Sequence, residues 1–214
     1  MKHFFAAAAF ACAIGTASAG TIVFQDNFSS GAPNYIQDDT TTGLLFTNAN
    51  FSLTSGSIDL NGPNPGPGFY TQLCQGTANY CIDTTGGSSQ YGTITSASIA
   101  LAPGSYELTF DLFGWDYLGL TETGEVNVKL GSLVNQTYDT NGATPFSGPD
   151  VVYFTVASST SASLVFQDTG NNHSSSFAGS VLDNIEIQSV PEPSSLILAG
   201  AAIAGLAALR LRKA

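Results

Sequence analysis

The sequence predicts an all-β sandwich of about nine short strands, carried between an N-terminal signal peptide and a short C-terminal transmembrane helix. Three observations carry this expectation. Tyr106-Glu107-Leu108-Thr109-Phe110-Asp111-Leu112 alternates apolar and polar residues without a break, which is the period of a strand with one buried face. Turn-forming pairs such as Pro103-Gly104, Asn141-Gly142 and Gly86-Gly87 fall between apolar runs, and no run has helical spacing inside the body of the chain. Both ends differ from the middle: residues 20–190 hold fifteen Asp and Glu against the single Lys129, a balance of −14, whereas both termini are apolar with basic flanks.

At the N-terminus Lys2 precedes an apolar run from Phe4 to Ile14, followed by Ala17-Ser18-Ala19. A charged start, an apolar centre and a small-x-small site make a secretory signal peptide, so residues 1–19 are read as removed after Ala19. Strands are then expected at Thr21–Phe24, Leu44–Thr47, Ser57–Leu60, Thr93–Leu101, Tyr106–Leu112, Glu125–Leu130, Val151–Ala157, Ser163–Phe166 and Val181–Ile187. Between them, 61–68 is rich in Pro and Gly and reads as an exposed loop, because neither side of it alone has enough strands for a core. The body, residues 20–190, is long enough for one domain with its own core.

After the body come Pro191, Glu192 and Pro193, an uncharged apolar stretch from Leu196 to Leu209, and the basic residues Arg210, Arg212 and Lys213. The stretch has no polar stripe, so it reads as a short membrane helix with Arg210 snorkelling; the terminal basic cluster favours a cytoplasmic end and leaves the body outside. These three parts, 191–193, 196–209 and 210–213, resemble the PEP-CTERM sorting signal of exported bacterial proteins. The resemblance implies an exosortase as processing partner, removal of the helix near Pro-Glu-Pro, and delivery to the cell surface or the extracellular space.

Within the body, Gly56–Gly62, Leu101–Asp111 and Val181–Ile187 resemble galactose-binding-like jelly rolls. That resemblance implies a jelly-roll sandwich, glycan binding and a structural calcium ion.

Composition limits function from the other side. A net charge of −11 with only five Lys and Arg offers no basic surface for nucleic acid, and 43% apolar residues exclude a disordered chain. Cys12 leaves with the signal peptide, so Cys74 and Cys81 remain as a pair, and export favours their disulfide. A zinc site is the competing reading, but the pair has no His nearby to complete four soft ligands.

Two carboxylates stand out by parity. Asp26 is in phase with Ile22, Phe24 and Phe28, and Asp183 is in phase with Val181, Ile185 and Ile187, so both are expected to point inward. A buried carboxylate needs hydrogen bonds, a cation or a metal. Calcium shared by Asp26 and Asp183 is one expectation, and capping of local backbone N–H groups is the other.

Catalysis has no clear seat. His173 reads as a solvated loop residue beside Ser174, Ser175 and Ser176, and among Asp111, Asp116, Glu122 and Glu125 nothing selects a catalytic pair. Aromatic and polar residues do gather just past the strongest strand: Trp115, Asp116, Tyr117 and Glu122 are the expected sugar platform, while Trp115 filling the end of the core is the alternative. The functional expectation is an exported surface or matrix protein that binds extracellular polysaccharide without catalysis. A structural matrix protein without ligand and a surface glycan hydrolase are the other two readings.

Overall fold

The strand pattern read from the sequence is realised as two facing sheets. The structure, a computed structural model, describes residues 20–29, 35–39, 43–45, 49–62, 74, 80–86, 90–114, 116–117, 120–121, 123–141, 148–173 and 179–191. Residues 1–19, expected as a signal peptide, the apolar stretch 196–209 and the basic residues 210–213 lie outside the described residues, as do Trp115 and Glu122. Among the described residues there is no helix.

From the N-terminus the strands are β1 (Ile22–Asp26), β2 (Tyr35–Asp39), β3 (Gly43–Leu44), β4 (Phe51–Ser55), β5 (Ile58–Asn61), β6 (Cys81–Asp83), β7 (Thr93–Ser96), β8 (Ile99–Leu101), β9 (Gly104–Gly114), β10 (Asp116–Tyr117), β11 (Leu120–Thr121), β12 (Thr123–Leu130), β13 (Val134–Asn141), β14 (Asp150–Val156), β15 (Thr160–Ala162), β16 (Leu164–Asp168) and β17 (Ser180–Val190). A seven-stranded sheet runs β14-β9-β17-β6-β5-β2, with β1 also paired to β17. A six-stranded sheet runs β13-β12-β16-β7-β4-β3, and two small ribbons, β10-β11 and β15-β8, complete the set. The architecture is an all-β jelly-roll sandwich, and Thr21–Val190 forms one compact unit.

Alternation explains the core. Tyr106, Leu108 and Phe110 of β9 are buried, as are Val126, Val128 and Leu130 of β12, so each sheet turns one face inward. Phe110 packs edge-on against Phe166 of the opposite sheet at 5.3 Å between ring centroids, and Phe166 lies 6.1 Å from Phe51. Truncating a ring at the centre of this stack, such as Phe110→Ala, would cost about 3–5 kcal/mol.

Two departures from the expected strands have physical causes. Thr93–Leu101 breaks at Ala97, after which the chain leaves the six-stranded sheet and β8 pairs with β15. β13 escaped the apolar pattern because it is an edge strand, Val-Asn-Gln-Thr-Tyr-Asp-Thr-Asn, paired in register with β12, and its apolar contribution to the core is limited to Val134 and Tyr138.

One register shift decides where the site residues face. β17 pairs Asp183 with Asp111 and then Glu186 with Thr109, so one extra residue is accommodated in β17 between them. Asn184 lies in this bulge with φ 48°, a left-handed conformation that Asn tolerates better than most side chains.

Candidate functional site

The bulge corrects the parity expectation for Asp183. Past it Ile185 and Ile187 face the core, whereas Asp183 shares the outer face of the sheet with its partner Asp111. Asp26 is paired with Ile185 and stands on the inner side. The register therefore places Asp26 and Asp183 on opposite faces of β17.

Each of these carboxylates is engaged locally. Asp26 Oδ1 accepts the N–H of Phe28 at 2.7 Å, and Asp183 Oδ1 accepts the N–H of Asn184 at 2.7 Å. The Asp26 bond holds the buried Phe28 at φ 56°, a conformation that costs a bulky side chain about 1–2 kcal/mol. Burial raises the Asp26 pKa, and bonds from Phe28 and Asn50 oppose that shift. Calcium takes six to eight oxygens, so two aspartates facing opposite ways do not by themselves make its shell. At Asp26 the N–H of Phe28 is a local partner of the carboxylate, and burial still outweighs its hydrogen bonds, leaving the pKa raised.

A polar cavity of about 370 Å³ opens beside Asp26, lined by Gln25, Asn27, Asn50, Asn184 and Glu186. From its rim the outer face of the seven-stranded sheet runs across four strands. One row is Gln25, Glu186, Thr109 and Val151, and the next is Ile22, Gln188, Glu107 and Tyr153. At the usual strand spacing each row spans about 14 Å. Tyr153 is 70% exposed, and Ile22 and Val151 are about half exposed, at 49% and 45%. Gln188 Nε2 donates to Glu107 Oε1, which fixes both side chains beside the tyrosine row. Amides, carboxylates and a hydroxyl lying next to an open ring can contact a sugar's hydroxyl groups and its C–H face together.

Farther along the same outer face the residues are acidic and covered. Asp111 and Asp183 oppose each other, and Asp83 opposes both Val181 and Asp59. Burial raises the pKa of Asp111, and burial together with the Asp111 charge raises that of Asp150. Burial raises that of Asp83 strongly, with the charges of Asp59 and Asp168 adding to it.

His173 is buried and not solvated, which corrects the loop expectation. Its Nε2 lies 2.8 Å from Asp168 Oδ1, and its ring sits 4.6 Å from that of Tyr91. Asp168, at the inward end of β16, also accepts from Thr84 Oγ1, Thr85 Oγ1 and the Gly170 N–H. Gly170 has φ 72°, and a Cβ there would meet the Tyr91 ring at 2.5 Å, so the loop closes only with glycine. Glu125 anchors the same loop by accepting from Thr169 Oγ1 at 2.6 Å and Asn171 Nδ2 at 2.9 Å, which lowers its pKa. With its side chains at 3% and 0% exposure, the His173–Asp168 pair works as a buried polar tie.

The other site residues fall as follows. Asp116 and Tyr117 form β10, whose backbone pairs with β11 beyond the end of β9. Trp115 and Glu122 are outside the described residues, as are Ser174, Ser175 and Ser176. Cys74 and Cys81 are joined in a disulfide. Pro191 is exposed at the end of the described body, and Glu192, Pro193, Arg210, Arg212 and Lys213 lie outside it.

Residues 189–213 match the PEP-CTERM protein-sorting motif. The chain is an exported, exosortase-sorted protein. The motif marks a membrane-anchored precursor that is then passed to the cell surface. No curated protein matches the sequence. Among solved structures the chain is similar to TmCBM61 in complex with β-1,4-galactotriose, at 8% identity and TM-score 0.44, covering 75% of this chain and 92% of that one. It is similar also to the CBM22-1 xylan-binding domain of Paenibacillus barcinonensis Xyn10C, at 12% identity and TM-score 0.41, covering 83% and 100%. A third similar structure is the Stig cyclase Fisc from Fischerella sp. TAU, at 13% identity and TM-score 0.47, covering 82% and 100%.

Proposed function

We propose that the exported body is a non-catalytic carbohydrate-binding module, and that it holds a neutral glycan chain on the outer face of β1, β17, β9 and β14. The observation that carries this reading is Tyr153, 70% exposed at the end of a row that also presents Glu107 and Gln188. A sugar ring stacks its C–H face on the tyrosine while the amide and carboxylate beside it take the hydroxyl hydrogen bonds. The second row and the adjoining cavity supply Gln25, Glu186 and Asn27 for a neighbouring residue of the chain. With −14 over residues 20–190, an anionic polymer is repelled, so the ligand is a neutral glycan bound with little dependence on salt.

The test is a binding screen of the exported protein against neutral and acidic polysaccharides, including the exopolysaccharide of the producing cell, repeated with Tyr153→Ala. Binding of a neutral glycan that the substitution weakens is the expected result. Absence of binding to every polymer would leave the structural-matrix reading in its place, and release of shortened product would identify a hydrolase.

A further inference from the structure

We infer that the cavity beside Asp26 is a blind notch for the last residue of a neutral glycan, so that the exported body binds the ends of polysaccharide chains and not their interiors. This rests on the reading of the outer sheet face as a glycan platform, and it names the part of the polymer that the platform takes. The notch follows from the strand order. β9 occupies one edge of β17 along its length, so β6 and β1 share the other edge. β6 pairs there with Val181 and Leu182, and β1 pairs from Ile185 to Gln188. Neither pairs with Asp183 or Asn184, which leaves a gap of about 7 Å along the strand at the bulge.

Residues of both faces line this gap. Gln25 and Glu186 stand on the outer face, Asp26 and Ile185 on the inner side, and Asn50 comes from the chain just before β4 of the facing sheet. Asn50 Nδ2 donates to the Gln25 carbonyl oxygen at 3.4 Å, which ties the facing sheet to β1 at the inner end of the gap. The cavity therefore enters the seven-stranded sheet from its outer face and stops on the layer behind. A glycan lying along the row Val151, Thr109, Glu186 and Gln25 arrives at its mouth. Such a chain can turn its last residue inward but cannot thread through. The volume, about 370 Å³, is at the small end of ligand pockets, which run from about 300 to 1,000 Å³.

The lining suits a chain end. Gln25, Asn27, Asn50 and Asn184 bring four side-chain amides, which donate and accept hydrogen bonds as sugar hydroxyls do. Asn27 Oδ1 accepts from Ser29 Oγ at 2.6 Å, and Asn184 Nδ2 donates to Asp111 Oδ2 at 2.7 Å. Both side chains are thus held in place, with Asn27 Nδ2 and Asn184 Oδ1 left to meet a ligand. A terminal sugar carries a free hydroxyl that an interior residue has given up to its linkage, so polar groups gathered in a closed space favour the terminus. No basic side chain lines the cavity, so a terminal uronate or phosphate finds no counter-charge there.

The test titrates the exported protein with linear β-1,4-galactan, β-1,4-xylan and β-1,3-glucan, each as intact polymer and as fragments about one tenth as long. The expected result is one protein molecule bound per glycan chain at either length, so that capacity per unit mass of glycan rises about tenfold on cutting. Gln25→Ala and Asn27→Ala should each weaken fragment binding at least tenfold. Gln25 is exposed, so its substitution keeps the test decisive if Asn27→Ala disturbs the turn at Ser29. Fragments whose reducing end has been opened with borohydride tell which terminus enters: binding kept assigns the non-reducing end, and binding lost assigns the reducing end. Several protein molecules on one polymer chain, with capacity per mass unchanged by cutting, would overturn the inference and leave the glycan face standing. No binding to any polymer or fragment would overturn the glycan face itself, and the notch with it.

Discussion

Asp183 stands opposite Asp111 on the outer face of the seven-stranded sheet, and the amide of Asn184 donates to Asp111 Oδ2 at 2.7 Å across that pair. Like charges placed directly opposite destabilise a sheet. Here the bulge supplies the remedy, because its left-handed residue brings an amide to one carboxylate and its own N–H to the other. Asn184 thus has a conformational and a hydrogen-bonding role that substitution can separate.

Asn184→Gly keeps the left-handed backbone and removes only the amide, so it should cost about 1–2 kcal/mol, the scale of a hydrogen bond to a charged group. Asn184→Ala loses the amide and adds about 1 kcal/mol of left-handed strain. Urea unfolding of both variants checks this. If Ala were as stable as Gly at this position, the positive φ would not be held in solution.

Burial of several acidic residues gives the body an unusual pH response. Burial raises the pKa of Asp26, Asp83, Asp111 and Asp150 above the ordinary value of 3.8, and the charges of Asp59 and Asp168 add to the shift at Asp83. A carboxyl whose pKa is raised by folding stabilises the fold fully below its unfolded value and loses that contribution as pH rises through its folded value. In chelator, the melting midpoint should therefore be higher at pH 5 than at pH 7.5. Surface repulsion acts in the same direction but is screened by salt, so the comparison is made in about 0.5 M sodium chloride, where the buried contribution persists. Asp83→Asn should flatten the slope. A midpoint that climbs from pH 5 to pH 7.5 under these conditions would contradict the shifts.

The disulfide ties Cys74 to β6, next to the acidic rows, with the Sγ of Cys74 3.5 Å from the Asn61 carbonyl oxygen. Closing so short a loop restricts the unfolded chain by about 2–3 kcal/mol. Reduction should lower stability by that amount and leave the sandwich folded, since its core of Phe51, Phe110 and Phe166 lies between the sheets. Circular dichroism melts with and without reductant measure the difference. Complete unfolding on reduction at 25 °C would show that the bond carries more of the fold than the core does.

How much of this was legible in the sequence depends on whether the signal was local. β9 was plain because Tyr106, Leu108 and Phe110 alternate with polar residues over its whole inward face. β14 was visible as a strand, yet its outward residues could not be picked out, because Val151 and Tyr153 are as apolar as the inward Val152 and Phe154. Only the register with β9, which sets Tyr153 opposite the outward Glu107, shows that Tyr153 faces solvent. Parity failed at Asp183 because a bulge adds a residue without leaving a pattern in composition. The His173–Asp168 tie was hidden for a related reason: four residues of polar loop separate the two, and Thr84, Thr85 and Tyr91 reach them from the connection between β6 and β7, far away in sequence.

Two aromatic places now compete for the glycan, and one pair of substitutions separates them. Tyr153 lies opposite Glu107, seven residues along β9 from Gly114, so its row is about 20 Å from the end of β9, which Trp115 follows in the sequence. If the sheet face is the platform, Tyr153→Ala should weaken glycan binding by about 1–3 kcal/mol, the scale of an aromatic anchor, and change stability by no more than about 0.5 kcal/mol because the ring is in solvent. Tyr153→Phe should keep most of the affinity, since stacking needs the ring and the hydroxyl groups of the sugar find Glu107 and Gln188 unchanged. Trp115→Ala should leave affinity intact. Isothermal titration with the best neutral glycan reads all three, and binding that falls with Trp115 while ignoring Tyr153 would move the platform to the β10–β11 hairpin.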